Sequence, residues 1–320
     1  MDRGCTHPKG PMFRSTLSAY RLRGIALLAM VGAVAVSAFA AEEQPRNGSQ
    51  EEKLNIQLLK TGLFLITGGG ANSLLRLSPY GEILVDGKRE ENYAALKSQV
   101  RTISRITDMP VRAVILTNHH EDRSGTNAKF LAAGAQIIAQ ENVAKTLATY
   151  QTSSEKIAPP TITYANDYML RFGGVEVQLK HFGNAHTDGD TVVYFPNLKV
   201  VAVGDLFAAG TPNPDFPRGG SVVGWAPVLA EILKLDFDVV VPSTGPMISR
   251  DDLVAFKTKM ETLVSRARAL VNRGVPKEQL LAQLNPEDFG WQFNFSADDI
   301  DRFYTELSPS KMVSERTGAK

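Results

Sequence analysis

The stretch VRAVILTNHHEDRSGTNAKF, residues 111–130, runs from an apolar, β-rich segment straight into a turn holding His119, His120, Glu121 and Asp122. A strand that empties into such a turn presents imidazole and carboxylate donors at a sheet edge, the donor types zinc takes. If the chain stays extended there, Asn118, His120 and Asp122 project to one side and His119 and Glu121 to the other. His119 is then read as a surface histidine, or as one that supports a ligand without touching a metal. Asn118 and Arg123 stand where further nitrogen ligands would complete a centre, so the loop reads either as a working metal site or as the remains of one.

Working outward, LFLITG and NSLLRLS predict two strands around the glycine turn GGGA, and GEILVDG predicts a third ending at Asp86. ENYAALKSQVRTIS has helical apolar spacing at Tyr93, Leu96, Val100 and Ile103. After residue 126 a helix from about Asn127, the strand AQIIAQ and a helix from about Glu141 follow. SSEKIAPPTITY, with two prolines, reads as a linker. Beyond it, YMLRFGGVEVQLKHF predicts one hairpin and TVVYFPNLKVVAVGD another turning at Pro196 and Asn197, while DFDVVVPSTG predicts a buried strand. Helices are expected at 226–235, about 249–272, 276–283 and 296–306. Strands and helices in both halves predict an α+β fold of two sheets packed face to face and covered by helices.

Residues 1–40 read as a cleaved export signal. Arg14, Arg21 and Arg23 precede the apolar run GIALLAMVGAVAV, and SAFA suits cleavage after Ala40. The run is short for a membrane span, which favours a cleaved signal over a stable anchor and a periplasmic or secreted location. Met12 is an alternative start to Met1. Residues 41–53 are expected to be a flexible linker, 54–308 one domain including the C-terminal helices, and 309–320 a mobile tail. Cys5, the sole cysteine, lies within the signal, so disulfides are excluded from the mature chain. Of 35 basic and 34 acidic residues the signal holds 5 and 1, leaving 30 against 33, a balance of −3. That balance argues against a nucleic-acid partner, and nothing in it specifies an oligomeric state.

Two further segments carry candidate chemistry. In HFGNAHTDGDTVVYF, His186 lies in a glycine-bounded loop just before a strand, whereas His181 reads as structural. VVAVGDLF places Asp205 at the end of an apolar strand, where a carboxylate must be paired, hydrogen-bonded or metal-bound.

Together GGGANSLL, the strand ending at Asp86, TNHHEDRSG, NAHTDGDTVVYFP, VVAVGDLF and VVVPSTGP resemble the metallo-β-lactamase superfamily in order and spacing over nearly all of 54–265. The resemblance implies a four-layer αββα sandwich with a metal cleft along one edge of the sheets. It implies zinc, commonly two ions, bound by a His-x-His-x-Asp-His loop, a later histidine, a bridging aspartate and a histidine in a late turn. His120, Asp122, His186 and Asp205 match those positions. Asn118, Arg123 and Thr244 replace three of the histidines. The Asn-x-His-x-Asp-Arg loop resembles the single-zinc carbapenem-hydrolysing subclass, although Asp205 falls where that subclass has cysteine and Thr244 where it has histidine.

This carry-over predicts one zinc on His120, His186 and Asp205, the two-imidazole, one-carboxylate complement that leaves a position for water. Zinc brings the pKa of such a water from about 15.7 to about 7. Asp122 would orient the hydroxide or take its proton, Asn118 would donate to an oxyanion, and Arg123 would stand in for the second ion. The expected substrate is a β-lactam, ester, thioester or lactone. The alternative is a catalytically degenerate member that binds a ligand or partner, with Arg123, Asp122 and Asp205 closing the former site as a salt-bridge network. The loop 206–225, with Phe207, Phe216 and Trp225, and the region of Trp291 are the candidate walls of the cleft, unless those aromatics pack against the last helices.

Overall fold

The computed structural model describes residues 53–104, 110–150 and 157–308. The expected signal, all but the last residue of the linker 41–53, and the tail 309–320 lie outside the described residues. Strands β1 (Asn55–Lys60), β2 (Leu63–Thr67), β3 (Ser73–Arg76) and β4 (Glu82–Val85) form an antiparallel meander. Helix α1 (Tyr93–Ser104) then carries the chain across to β5 (Val111–Ile115), which pairs parallel with β4. Beyond β5 come α2 (Glu121–Ser124), α3 (Asn127–Ala132), β6 (Gln136–Gln140), α4 (Glu141–Thr149) and β7 (Ile162–Tyr164), with β6 and β7 extending the parallel part. The sheet has seven strands in sequential order.

The second sheet repeats this logic. β8 (Asp167–Phe172), β9 (Val175–Lys180), β10 (Val192–Phe195) and β11 (Val200–Gly204) are antiparallel, and β12 (Val239–Pro242) joins β11 in parallel after helix α5 (Val222–Ile232). Its order is β12-β11-β10-β9-β8. Helices α6 (Arg250–Asn272), α7 (Lys277–Leu284) and α8 (Ala297–Leu307) follow. A parallel neighbour needs a crossover, which is why each sheet acquires a covering helix where its strand direction stops alternating.

Period-two alternation builds the layers. On β2, Leu63 and Leu65 face the second sheet, where they meet Val177, Leu179, Val193 and Phe195. Ile66 faces outward with Leu75, Leu84 and Val114, onto Leu96 and Val100 of α1 and Val143 and Leu147 of α4. The other outer face buries Val201, Val203 and Val240 under α5 to α8 through Trp225, Leu229, Leu253, Leu263 and Phe303. Helix, sheet, sheet and helix are therefore stacked as the expected αββα sandwich.

The expected helices reappear as α5 to α8, with α6 and α8 each opened by a capping box, from Ser249 and Ser296. Three details differ from expectation. β1 was not foreseen, because its exposed edge carries little apolar alternation. The linker SSEKIAPPTITY ends in β7, held by the free edge of β6 despite its three-residue length. α5 begins at Val222 instead of 226, because Ser221 accepts the Gly224 N–H and nucleates the helix a turn before Pro227.

Glu82, at the start of β4, is buried, and its Oε2 has no hydrogen-bond partner. Burial pushes its carboxyl up to about 7. A carboxyl whose folded pKa lies above its unfolded value of about 4.3 stabilises most at low pH and loses that contribution as pH rises through the folded pKa. The stability of Glu82→Gln relative to the parent is accordingly expected to grow between pH 4 and pH 8, as read from urea unfolding midpoints; a difference that is flat with pH would contradict the burial argument.

Candidate metal centre

The site lies at the ends of β4, β5, β11 and β12. Asp86 ends β4 with a left-handed backbone, φ 55°, and is buried. Its carboxylate accepts the Thr117 N–H at 2.8 Å and the Thr117 hydroxyl at 2.7 Å, clamping the end of β4 to that of β5. Burial pushes Asp86 up to about 6, against the lowering influence of Arg123 and of the Thr117 hydrogen bonds. Across the cleft, Asn72 donates to the carbonyls of Pro242 at 2.9 Å and Gly245 at 3.0 Å, tying the glycine turn before β3 to the end of β12.

Strand alternation stops at His120. That residue has an extended backbone but serves as the N-cap of α2, and Ser124 Oγ donates to the carbonyls of His119 and His120 at 2.8 and 2.9 Å. Helical geometry, not the expected strand alternation, therefore places Asp122. Gly70, at φ 111°, lets the glycine turn approach this helix: a Cβ there would lie 2.9 Å from Asp122 Cβ. Arg123 is buried and donates through Nη1 to Asp122 Oδ1 at 2.5 Å, while its Nη2 lies 2.5 Å from Asp205 Oδ2. Its Nε is buried without a hydrogen-bond partner.

Asp205 Oδ2 also accepts from Asn118 Nδ2 at 2.8 Å, and Asp205 Oδ1 accepts from Ser243 Oγ. Burial alone would raise this carboxyl, but Arg123, His186 and the two hydrogen bonds prevail and hold it far below the usual carboxylate range. Asn118 uses its Oδ1 to accept the His120 N–H at 3.0 Å. Both ends of this amide are engaged within the site, so Asn118 positions His120 and Asp205, a use the oxyanion role expected of it did not include.

His186 Nδ1 faces the Asn213 carbonyl at 2.6 Å. A carbonyl only accepts, so Nδ1 carries a proton, and it is Nε2 that faces the site. That Nε2 lies 2.9 Å from His120 Nε2 and 3.3 Å from Asp205 Oδ2. His120 is held neutral: burial and the neighbouring His186, His119 and Arg123 bring it down to about 3.

His119 is 2 % exposed, with its ring against that of His120 at a centroid distance of 4.4 Å and against the Tyr150 edge at 5.1 Å. Its Nε2 is buried, makes no hydrogen bond, and lies 3.4 Å from Asp215 Oδ2. His120 Nε2 is 3.6 Å from the same oxygen. Among the described residues, His119, His120 and Asp215 form a group whose donor atoms all lie within 4.8 Å of one another.

The metallo-beta-lactamase superfamily profile matches residues 67–244, more than half of the chain. The chain belongs to this superfamily. Among curated relatives, 2,4-dinitroanisole O-demethylase subunit alpha of Nocardioides sp. (strain JS1661) is 29 % identical over 64 % of this chain and 62 % of its own length. Metallo-beta-lactamase IND-1 of Chryseobacterium indologenes is 31 % identical over 48 % of this chain and 62 % of its own. The chain thus covers less than two thirds of the length of either relative. The solved metallo-beta-lactamase from Pontibacter korlensis superposes with a TM-score of 0.58 at 20 % identity, covering 65 % of this chain and 99 % of that one. The mono-zinc form of FIM-1 from Pseudomonas aeruginosa gives 0.55 at 18 % identity, covering 65 % and 95 %. These two structures share the fold.

Metallo-beta-lactamase superfamily proteins typically bind zinc, and the donor set here fits one ion. His119, His120 and Asp215 place two imidazole nitrogens and a carboxylate oxygen within 4.8 Å of one another, and the Nε2 atoms of His120 and His186 share an N–H at 2.9 Å beside them. Arg123 balances one of the two carboxylates it bridges, so together with Asp215 the site keeps a negative surplus beside the neutral His120. A second ion does not fit, because the guanidinium lies between Asp122 and Asp205, and Thr244 is exposed at the end of β12.

Of the expected residues, Asn118, His120, Asp122, Arg123, His186 and Asp205 are all drawn to this edge. His119 is not a surface residue but part of the cluster. Asp215, within NPDFPRGG, was passed over; its only sequence signal is a carboxylate flanked by prolines in a long loop after the Gly-Asp pair. His181 keeps its structural role, with Nδ1 at the Asp190 carbonyl, 2.8 Å away. The aromatics expected as possible cleft walls, Phe207, Phe216, Trp225 and Trp291, are instead buried in the outer core, Trp225 donating to the Leu206 carbonyl at 2.8 Å. A cavity of about 710 Å³ borders the same loop at Phe216, Gly219 and Gly220 but is lined by none of the histidines.

Replacing Arg123 with methionine would leave Asp122 and Asp205, both partly buried, without their cation, Asp205 keeping only the hydrogen bonds from Asn118 and Ser243. Arg123→Met is expected to lower the unfolding free energy of the metal-stripped protein by about 3–5 kcal/mol in urea titrations; a loss under about 1 kcal/mol would show that the carboxylates do not depend on it.

Proposed function

We propose that this protein is an exported, periplasmic or secreted, single-zinc hydrolase of small molecules, acting on a β-lactam, ester, thioester or lactone. The observation that carries the reading is the set of donor atoms gathered around His120 Nε2, with His186 Nε2 at 2.9 Å and Asp215 Oδ2 at 3.6 Å. Export is supported by the basic start, the apolar run and the small residues ending at Ala40. No described helix is long and apolar enough to cross a membrane.

Bound there, zinc would supply a Lewis acid and hydroxide near neutral pH. His120, held neutral by burial, would offer the ion a ring nitrogen, with His186 beside it. Arg123 fixes Asp122 through Oδ1, leaving the second carboxylate oxygen to take a proton from the attacking water. Asn118 holds the His120 backbone and Asp205 in register, so imidazole and carboxylate do not drift apart. The likeness to IND-1 supports β-lactam-type amides within the substrate range, and the likeness to the O-demethylase subunit supports testing an aryl methyl ether beside them.

The second reading, a binding-only member, is favoured by the Arg123 network that fills the place of one ion. One experiment decides between them. Protein purified with zinc is expected to hold about one zinc per chain by ICP-MS and to hydrolyse at least one member of a β-lactam, ester, thioester and lactone panel, with activity lost to EDTA and restored by zinc. Less than roughly a tenth of a metal per chain, unaltered by His120→Ala, with silence across the panel, would leave the binding role.

A further inference from the structure

We infer that Asp215 and His119, together with His120, hold the metal ion, and that Asp205 does not, so the ion fastens the loop between β11 and α5 to the end of β5. The inference rests on the metal-dependent reading above and moves the ion within the site.

Asp205 is already spent. Its Oδ2 receives Asn118 and the Arg123 guanidinium, at 2.8 and 2.5 Å, and its Oδ1 receives Ser243. A divalent ion on that oxygen would stand beside a buried cation that cannot give up its charge. Asp215 faces the opposite situation: its Oδ2 has His119 and His120 nearby at 3.4 and 3.6 Å, both beyond ordinary hydrogen-bond length.

The histidines supply an independent observation. His119 Nε2 is buried on a residue only 2 % exposed and has no hydrogen-bond partner, which is unfavourable unless something occupies its lone pair or takes its proton. The distances fit a bound ion: ligand atoms on a tetrahedral zinc with bonds of about 2.0–2.2 Å lie about 3.4 Å apart. His119, His120 and Asp215 make up two imidazoles and one carboxylate, a complement that suits catalytic zinc and leaves a place open.

The loop is already set to deliver Asp215. Its N–H donates to the His186 carbonyl at 2.8 Å, and the Gly220 N–H donates to the Asp215 carbonyl at 2.9 Å. At Gly220 a Cβ would come within 2.6 Å of the His186 carbonyl, so only glycine allows that approach. An ion on Asp215 would therefore add a bond between β5 and a loop otherwise held here through its backbone.

The test titrates the metal-stripped full chain with cobalt(II), following the visible d–d spectrum and the dissociation constant, and measures hydrogen exchange over residues 206–221 with and without cobalt. Asp215→Asn and His119→Gln are expected to weaken cobalt binding by about 10–100-fold, to alter the spectrum and to abolish the cobalt-dependent protection of the loop. Asp205→Asn is expected to keep the parent spectrum. If Asp215→Asn binds cobalt like the parent with an unchanged spectrum, the assignment is overturned while the single-metal reading stands. If the parent itself binds no cobalt, the single-metal reading fails and the assignment with it. Should Asp205→Asn fail to fold through loss of its Arg123 partner, the parent and Asp215→Asn alone decide, since Asp215 is only partly buried and lies outside the Arg123 network.

Discussion

A buried guanidinium held between two carboxylates organises the sheet edge where the candidate site of this protein lies. Arg123 reaches Asp122 on its own short helix and Asp205 at the end of β11, joining the loop after β5 to the second sheet across the cleft. Two unpaired carboxylates could not stay ionised in that space, and a lone guanidinium could not stay buried. Once the three are in place, Asn118 and Ser243 find Asp205, and Asn118 in turn fixes the His120 backbone.

The same ion pair sets the chemistry. Arg123 supplies fixed positive charge between Asp122 and Asp205, and a guanidinium supplies it without ligand exchange or a bound water. Beside it, His119, His120 and Asp215 bring their donor atoms within 4.8 Å of one another, and His186 lies next to His120. His120 is held neutral there by burial and its charged neighbours, and His186 is turned by the Asn213 carbonyl so that Nε2 faces the site.

The fold was legible because its signals are local. Leu63 and Leu65 against Phe64 and Ile66 tell a strand which face is inside, and Ser249 and Ser296 announce helices with three-residue spacing to Asp252 and Asp299. β7 was read as a linker because three residues carry too little pattern; the edge of β6 makes it a strand. The site was legible where its residues sit inside motifs: His120, Asp122 and Arg123 in one loop, His186 and Asp205 each at a strand boundary. His119, expected either at the surface or supporting a ligand, is buried, because α2 begins where alternation was extended.

Sequence by itself determined two sheets with helical covers, membership of a metal-binding superfamily, and the absence of histidine at three of its usual positions, all properties of residues near one another in the chain. Tertiary structure alone decided what those losses mean. Whether Arg123 replaces a metal depends on Asp205, 82 positions away, and whether His119 is idle depends on where a long loop places Asp215. Donor atoms a few ångströms apart are set by the closure of loops from different sheets, and that closure leaves little trace in the local spacing of the residues that make it.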